Sequence, residues 1–194
     1  MKFTPPPGAT PINPGDLAEL IPSLQTQDEL NEFEQTNIAL AEQWAAKSRA
    51  LRKDFPSIDS LKLLHNKMFD KTWKWAGEFR RSDTNLGTDW RQISPEVKKL
   101  CDDVRFWIEH KSYGWDELAA RFHHRLVFIH PFKNGNGRHS RLATDVLLVK
   151  HRQQPFSWGS QSMTKRSNVR GAYIASLIEA DKGNIKELIE FAKS

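Results

Sequence analysis

Cysteine occurs once in this chain, at Cys101. One thiol excludes a disulfide framework and a cysteine-based metal site. No apolar run is long enough to cross a bilayer. Met1-Lys2-Phe3 leads straight into Pro5-Pro6-Pro7 with no apolar signal core, so the expectation is a soluble cytoplasmic protein away from membranes. No internal repeat and no second domain can be discerned. The net charge of +5 is modest and not concentrated in any stretch. That permits an anionic ligand or nucleic-acid contact, without making nucleic acid the expected partner. Seven Trp and eleven Phe in 194 residues are enough for a substantial single core.

The chain divides into a Pro-rich N-terminal arm over 1–25 and a helical domain over 26–194. The arm is read as extended because Pro5, Pro6, Pro7, Pro11 and Pro14 fall in its first fourteen residues. Thr26-Gln27-Asp28-Glu29 has capping-box spacing. The stripe Leu30, Phe33, Asn37, Ala41, Trp44, Ser48, Leu51 then predicts one long helix from 27 to 52, with Glu34 on a solvated face. A second helix, capped by Ser57 or Asp59, carries Leu61, Leu64, His65, Met68 and Phe69 as a core stripe. Residues 78–93 change pattern: Asp83, Asn85 and Gly87 are turn formers, while Phe79, Trp90 and Ile93 favour strands. A short β-hairpin is predicted there. Ser94-Pro95 predicts a helix start running to His110. Ser167 and Asn184 are the expected caps of the last two helices. His123, His124, His130 and His139 lack the spacing and carboxylate partners of a zinc or iron site.

The informative stretch is His130-Pro131-Phe132-Lys133-Asn134-Gly135-Asn136-Gly137-Arg138-His139-Ser140-Arg141. An amphipathic run from Trp115 to Ile129 precedes it, and another, from Asn136 to Lys150, follows. Pro131 must end the first helix, and a Gly-Asn-Gly turn opens the second. Glycines beside a helix N-terminus expose backbone N–H donors in a favourable dipole, which is an anion site. Arg138 and Arg141, three residues apart, share a face there. They oppose the dipole when the site is empty and could hold a polyphosphate by paired hydrogen bonds when it is filled. His130 stands where an imidazole could take a proton.

This stretch resembles the signature of the Fic (Fido) family, His-x-Phe-x-(Asp/Glu)-Gly-Asn-Gly-Arg-x-x-Arg, over a domain core of about 60–192. The Pro-rich start and Leu30-Asn31-Glu32-Phe33-Glu34-Gln35 resemble its subgroup called mobile mystery protein B. The resemblance implies a mainly α fold with a small β-hairpin flap. It implies a protein adenylyltransferase moving AMP from ATP to a Tyr, Thr or Ser hydroxyl of a target protein, with a regulatory partner protein. His130 would be the base. Gly135, Asn136, Gly137, Arg138 and Arg141 would hold the phosphates, and Phe132 would anchor the loop in the core. His139 and Ser140 would point elsewhere. Arg80, Asn85, Leu86 and Gly87 resemble the flap that positions the target by strand addition. Family members can also carry an inhibitory Glu, in Ser/Thr-x-x-x-Glu-Gly/Asn, that pairs with the second motif arginine; Glu34 is the nearest counterpart, with Leu30 in place of the Ser or Thr and Gln35 in place of the Gly or Asn. The sequence departs from the family at Asn134, where an acid should hold Mg2+. A neutral amide would hold that ion weakly. The alternative reading is a weak or inactive Fic-fold nucleotide- or protein-binding module of a mobile genetic element.

Overall fold

The computed structural model describes residues 14–159 and 168–194. The expected cap Ser167 lies outside the described residues. Helices dominate. After a short turn of helix, α1 (Pro14–Leu17), the chain enters α2 (Gln27–Lys47) through the expected capping box: the Thr26 hydroxyl and the Glu29 carboxylate each accept a backbone N–H of the other residue. The expected helix over 27–52 is broken at Ser48, whose extended backbone ends α2. Its hydroxyl accepts the Leu51 N–H and starts α3 (Arg49–Lys53), so a serine that looked like part of the stripe acts as a cap.

Next come α4 (Ile58–Phe69), α5 (Ile93–Glu109), α6 (Trp115–Ile129), α7 (Asn136–Lys150), α8 (Asn168–Asp181) and α9 (Lys186–Lys193). Ser57 caps α4 as expected. Ser94 does not cap α5; a 3₁₀ turn at Trp90–Gln92 runs directly into Ile93. Asn184 does not cap α9 either. Ile185 holds that place, and the Asn184 amide reaches the Glu187 carboxylate.

The central pair is α6 and α7, joined by the motif loop. α5 and α9 pack on α6, α4 on α7, and α2 lies along α4. One large core joins α2 through α7 around Phe69, Trp73, Phe122, Leu126 and Leu147. Two smaller clusters seat the C-terminal pair: Trp158, Tyr173 and Ala192 in one, and Ala120, Ala180 and Leu188 in the other. The N-terminal segment is tied down from Asp16 on. Leu20 bridges Trp73, the Lys74 N–H donates to the Glu19 carbonyl, and Lys133 pairs with Asp16 and Glu19.

The expected hairpin over 78–93 is not formed. Among the described residues the extended pairings are two isolated bridges, Leu20 with Trp73 and Phe79 with Phe132. Phe79 therefore pairs with the motif loop rather than with its own segment. Arg80 then draws the carbonyls of Ser82 and Thr88 inward, which curls the segment instead of laying two strands side by side.

Candidate active site

The site lies where α6 ends and α7 begins. Ile129 closes α6, and Pro131 cannot continue it. His130 adopts a left-handed conformation, φ 54° and ψ 58°, uncommon for a residue with a side chain. A conformation of this kind persists only where its surroundings impose it. Here they do. The buried Arg80 guanidinium donates from Nε to the His130 carbonyl at 2.8 Å and reaches the carbonyls of Ile129, Ser82 and Thr88. The Arg80 N–H donates to the Pro131 carbonyl at 2.9 Å. Gly87 approaches the same turn so closely that an added Cβ would lie 2.5 Å from the His130 Cβ. So Arg80, Gly87 and the 129–131 carbonyls form one joint. Arg80 is buried in that joint, whereas Asn85 and Leu86 are exposed.

His130 is 8% exposed. Burial pushes its imidazole down to about 4, the Val127 carbonyl raises it and Arg80 lowers it further. At neutral pH the ring is therefore uncharged. With Nδ1–H facing the Val127 carbonyl at 3.3 Å, Nε2 carries the lone pair.

The loop that follows is held by its own polar atoms. The Asn136 amide closes a two-way contact with Phe132, accepting its N–H at 2.9 Å and donating to its carbonyl at 2.8 Å. The amide is thus committed to shaping the turn, leaving backbone donors to face an anion. Phe132 is fully buried and stacks on His65, with ring centroids 3.7 Å apart. His65 accepts the Gly77 N–H on Nδ1, so Nε2–H donates to the Asn134 carbonyl at 3.1 Å. Burial, more than any neighbouring charge, holds the His65 imidazole well below its ordinary value. Sequence reasoning placed His65 in the core stripe and missed this role. The signal was a polar ring among large apolar residues, which must find two partners when buried. Gly135 has φ 77°, and a Cβ there would meet the Phe69 ring at 2.5 Å. Only glycine fits. His139 and Ser140 are buried on the core side of α7, with His139 Nε2 on the Leu61 carbonyl.

The two arginines part company. Arg138 pairs with Glu34 of α2 at 2.6 Å and lies over the Phe69 ring. Glu34 is 3% exposed and also accepts the Trp73 indole N–H at 2.7 Å. The solvated-face expectation for Glu34 is therefore overturned: it faces inward, one turn beyond Leu30 on the buried stripe of α2. Its partner is the first motif arginine, not the second. Arg141 instead lies over the Tyr173 ring of α8, 5.4 Å from the centroid. Burial lowers its guanidinium, Tyr173 and Asp145 raise it, and Arg138 lowers it.

A magnesium ion held by the protein does not fit the donors present. The Asn134 side-chain oxygen accepts the Gly135 N–H at 2.6 Å, and its amide supplies no anionic oxygen. Among the described residues no three His, Cys, Asp or Glu side chains come together to ligate a metal.

The model of the Fic/DOC family matches residues 55–148. The chain is 31% identical over 119 residues to Protein adenylyltransferase Fic of Aedes aegypti, covering 60% of this chain and 22% of that protein. It is 27% identical over 140 residues to Protein adenylyltransferase fic-1 of Caenorhabditis elegans, covering 70% and 26%. The match thus spans about a quarter of those proteins. Among solved structures, the N-terminal FIC domain of Bep8 from Bartonella sp. 1-1C has a TM-score of 0.68 at 17% identity, covering 89% of this chain and 88% of that one. BepC of Bartonella tribocorum, solved with bound AMPPNP, has a TM-score of 0.64 at 20% identity, covering 88% and 87%.

Proposed function

We propose, from the premise that residues 55–148 of this chain form a Fic/DOC family domain, that the protein transfers AMP from ATP to a hydroxyl side chain of a target protein. The carrying observation is a buried, neutral His130 fixed beside a glycine turn that opens a helix. Relatives named protein adenylyltransferases support the reading. Uncharged His130 accepts the proton of a Tyr, Thr or Ser hydroxyl. The oxygen attacks the α-phosphorus, the bond to the β-phosphate oxygen breaks, and pyrophosphate leaves. Backbone N–H groups of Asn136 and Gly137 hold phosphate oxygens at the positive end of α7, Gly135 gives the turn its left-handed backbone, and Arg141 neutralises the departing charge. No step is routed through a metal, because Asn134 supplies no anionic ligand. The low basicity of His130 makes it a weak base, and positioning must supply much of the rate.

Glu34 restrains this chemistry. Its ion pair with Arg138 occupies a cation that the phosphates would otherwise engage, so ATP binding and the Glu34–Arg138 pair compete. A partner protein acting on α2 would set the balance. The flap residues Asn85, Leu86 and Gly87 meet the target beside His130. The setting is the cytoplasm, in keeping with the absence, among the described residues, of any helix long and apolar enough to cross a membrane. The wording of residues 30–35 supports placement in the mobile mystery protein B subgroup.

The test is incubation of the purified chain with cell lysate and ATP labelled on the α-phosphate. Label should appear on protein with wild type, fall by about 10²–10⁴-fold in His130→Ala, and rise in Glu34→Gln. ATP binding without transfer would favour the binding-module reading. Equal labelling by wild type and Glu34→Gln would remove the restraint.

A further inference from the structure

Arg170 stands on the first turn of α8, beyond the segment matched by the family model. Three residues on, the same helix carries Tyr173, and positions three apart share a face. Tyr173 fixes where that face points. Its ring lies under Arg141, and its hydroxyl pairs with His123 Nε2 of α6 at 3.0 Å. The same hydroxyl comes within 3.7 Å of where a Cβ of Gly137 would stand, so this face looks onto the first turn of α7. Val169, on the same turn of α8, packs toward Gly159, which fixes that end of the helix against the 156–159 segment.

The electrostatics agree. Arg170 is half-buried, and after burial the largest influence on it is Arg141, which depresses it; Arg138 depresses it further, and Tyr173 acts the other way. Three guanidiniums from α7 and α8 thus act on one another at one place. The acid that Arg141 senses is Asp145, whose carboxyl burial pushes up to about 7, so it is only partly charged at neutral pH. Arg170 also sits in the first turn of its own helix, where a cation opposes the helix dipole. A polyanion lodged between the helix starts relieves both conflicts. Glu34 already pairs with Arg138, so a bound polyphosphate would compete with Glu34 for Arg138 while meeting Arg141 and Arg170 beside it.

We propose that Arg170 is a third phosphate-binding arginine, completing with Arg138 and Arg141 a cradle for the β and γ phosphates of the nucleotide. The cradle takes two arginines from the motif helix and one from α8, so the C-terminal helix pair is part of the binding site. This rests on the nucleotide-transfer reading only for the identity of the ligand; the chemistry recognised is a linear polyphosphate.

The experiment measures calorimetric binding of ATP, AMP and inorganic tripolyphosphate to wild type, Arg170→Gln and Arg170→Lys, with melting temperatures as a folding control. AMP lacks the β and γ groups, so it reports on the rest of the pocket. Arg170→Gln should weaken ATP and tripolyphosphate about tenfold and AMP by less than twofold, with Arg170→Lys between. ATP affinity within twofold of wild type in Arg170→Gln overturns the proposal. So does an equal loss for ATP and AMP, and so does a wild type that binds neither ATP nor tripolyphosphate. If tripolyphosphate binding depends on Arg170 but no AMP transfer is found, the cradle stands and the transferase reading falls. If wild type transfers AMP and Arg170→Gln binds ATP unchanged, the reverse holds.

Discussion

The two segments that meet at His130 are built on opposite plans. In the motif loop, residues 130–137, no residue is exposed. His65, Asn136 and Arg80 hold its backbone from behind. Facing it, residues 81–92 are exposed except for the half-buried Thr84 and Thr88. The loop bears His130, the proposed base, and cannot move without breaking several buried hydrogen bonds. The other segment presents Leu86 and Trp90 to solvent, and its side chains pair mainly with one another, as Asp89 does with Arg91. Chemistry needs fixed geometry, whereas accommodating a protein target needs surface that can adapt.

The largest expected break in this contrast is acid. Burial lowers His123 to about 3 and both His130 and His139 to about 4, and holds His65 well down. Unfolded, each would titrate near 6.5. The unfolded chain therefore binds protons that the folded one refuses as pH falls from 6.5 toward 4, and stability is lost across that window. At about 1.4 kcal/mol per unit, the fall from pH 6.5 to 4.5 lets each imidazole cost the folded state about 3 kcal/mol. Asp145, pushed up to about 7, opposes this with one group: its stabilising contribution is present at acid pH and is lost as pH rises toward 7. The segment 78–92 contains no histidine. Urea midpoints at pH 7.5 and 4.5 should therefore differ strongly, and a single histidine variant, His139→Gln, should narrow the gap. Equal midpoints would mean the loop side is not held by neutral histidines.

Next in size is Gly135→Ala. It forces a side chain into left-handed backbone and onto the Phe69 ring, costing about 3 kcal/mol. Thermal unfolding should show the loss, while Asn85→Ala on the opposite segment leaves it within about 0.5 kcal/mol. A harmless Gly135→Ala would contradict the close approach. The smallest effect on the fold belongs to Leu86→Ala. Its side chain is 45% exposed, so stability should hold within about 0.5 kcal/mol. Labelling of protein targets should fall while ATP affinity stays constant. If ATP affinity falls with labelling, Leu86 serves the nucleotide rather than the target.

What was legible in the sequence was local. Thr26 and Glu29 announce their helix through spacing, Pro131 stops α6, and the glycines around Asn136 open α7, because those instructions act over a few residues. The motif loop was legible for that reason. What stayed hidden was set by contacts between distant segments. Periodicity showed that α2 has an inward face, and counting one turn on from Leu30 reaches Glu34. Yet only the docking of α2 near α7 puts that carboxylate on Arg138, 104 positions away. Phe79 has strand propensity but finds its partner in Phe132 rather than across a hairpin. Tyr173 and Arg170 carry no motif at all. The place of Tyr173 under Arg141 follows from how α8 packs on α9 and α9 on α6, which no short window contains.

Arg80 has one more consequence. Its guanidinium donates to main-chain carbonyls, those of Ile129, His130, Ser82 and Thr88. Every amino acid supplies the same carbonyl. The residues between Ser82 and Thr88 can therefore be exchanged through evolution without unfastening the joint beneath them, except Gly87 and Asp83, whose carboxylate pairs with Arg80 at 3.6 Å. The joint works as a fixed socket for an interchangeable surface. A lineage can alter that surface one substitution at a time while inheriting the His130 turn beneath it intact.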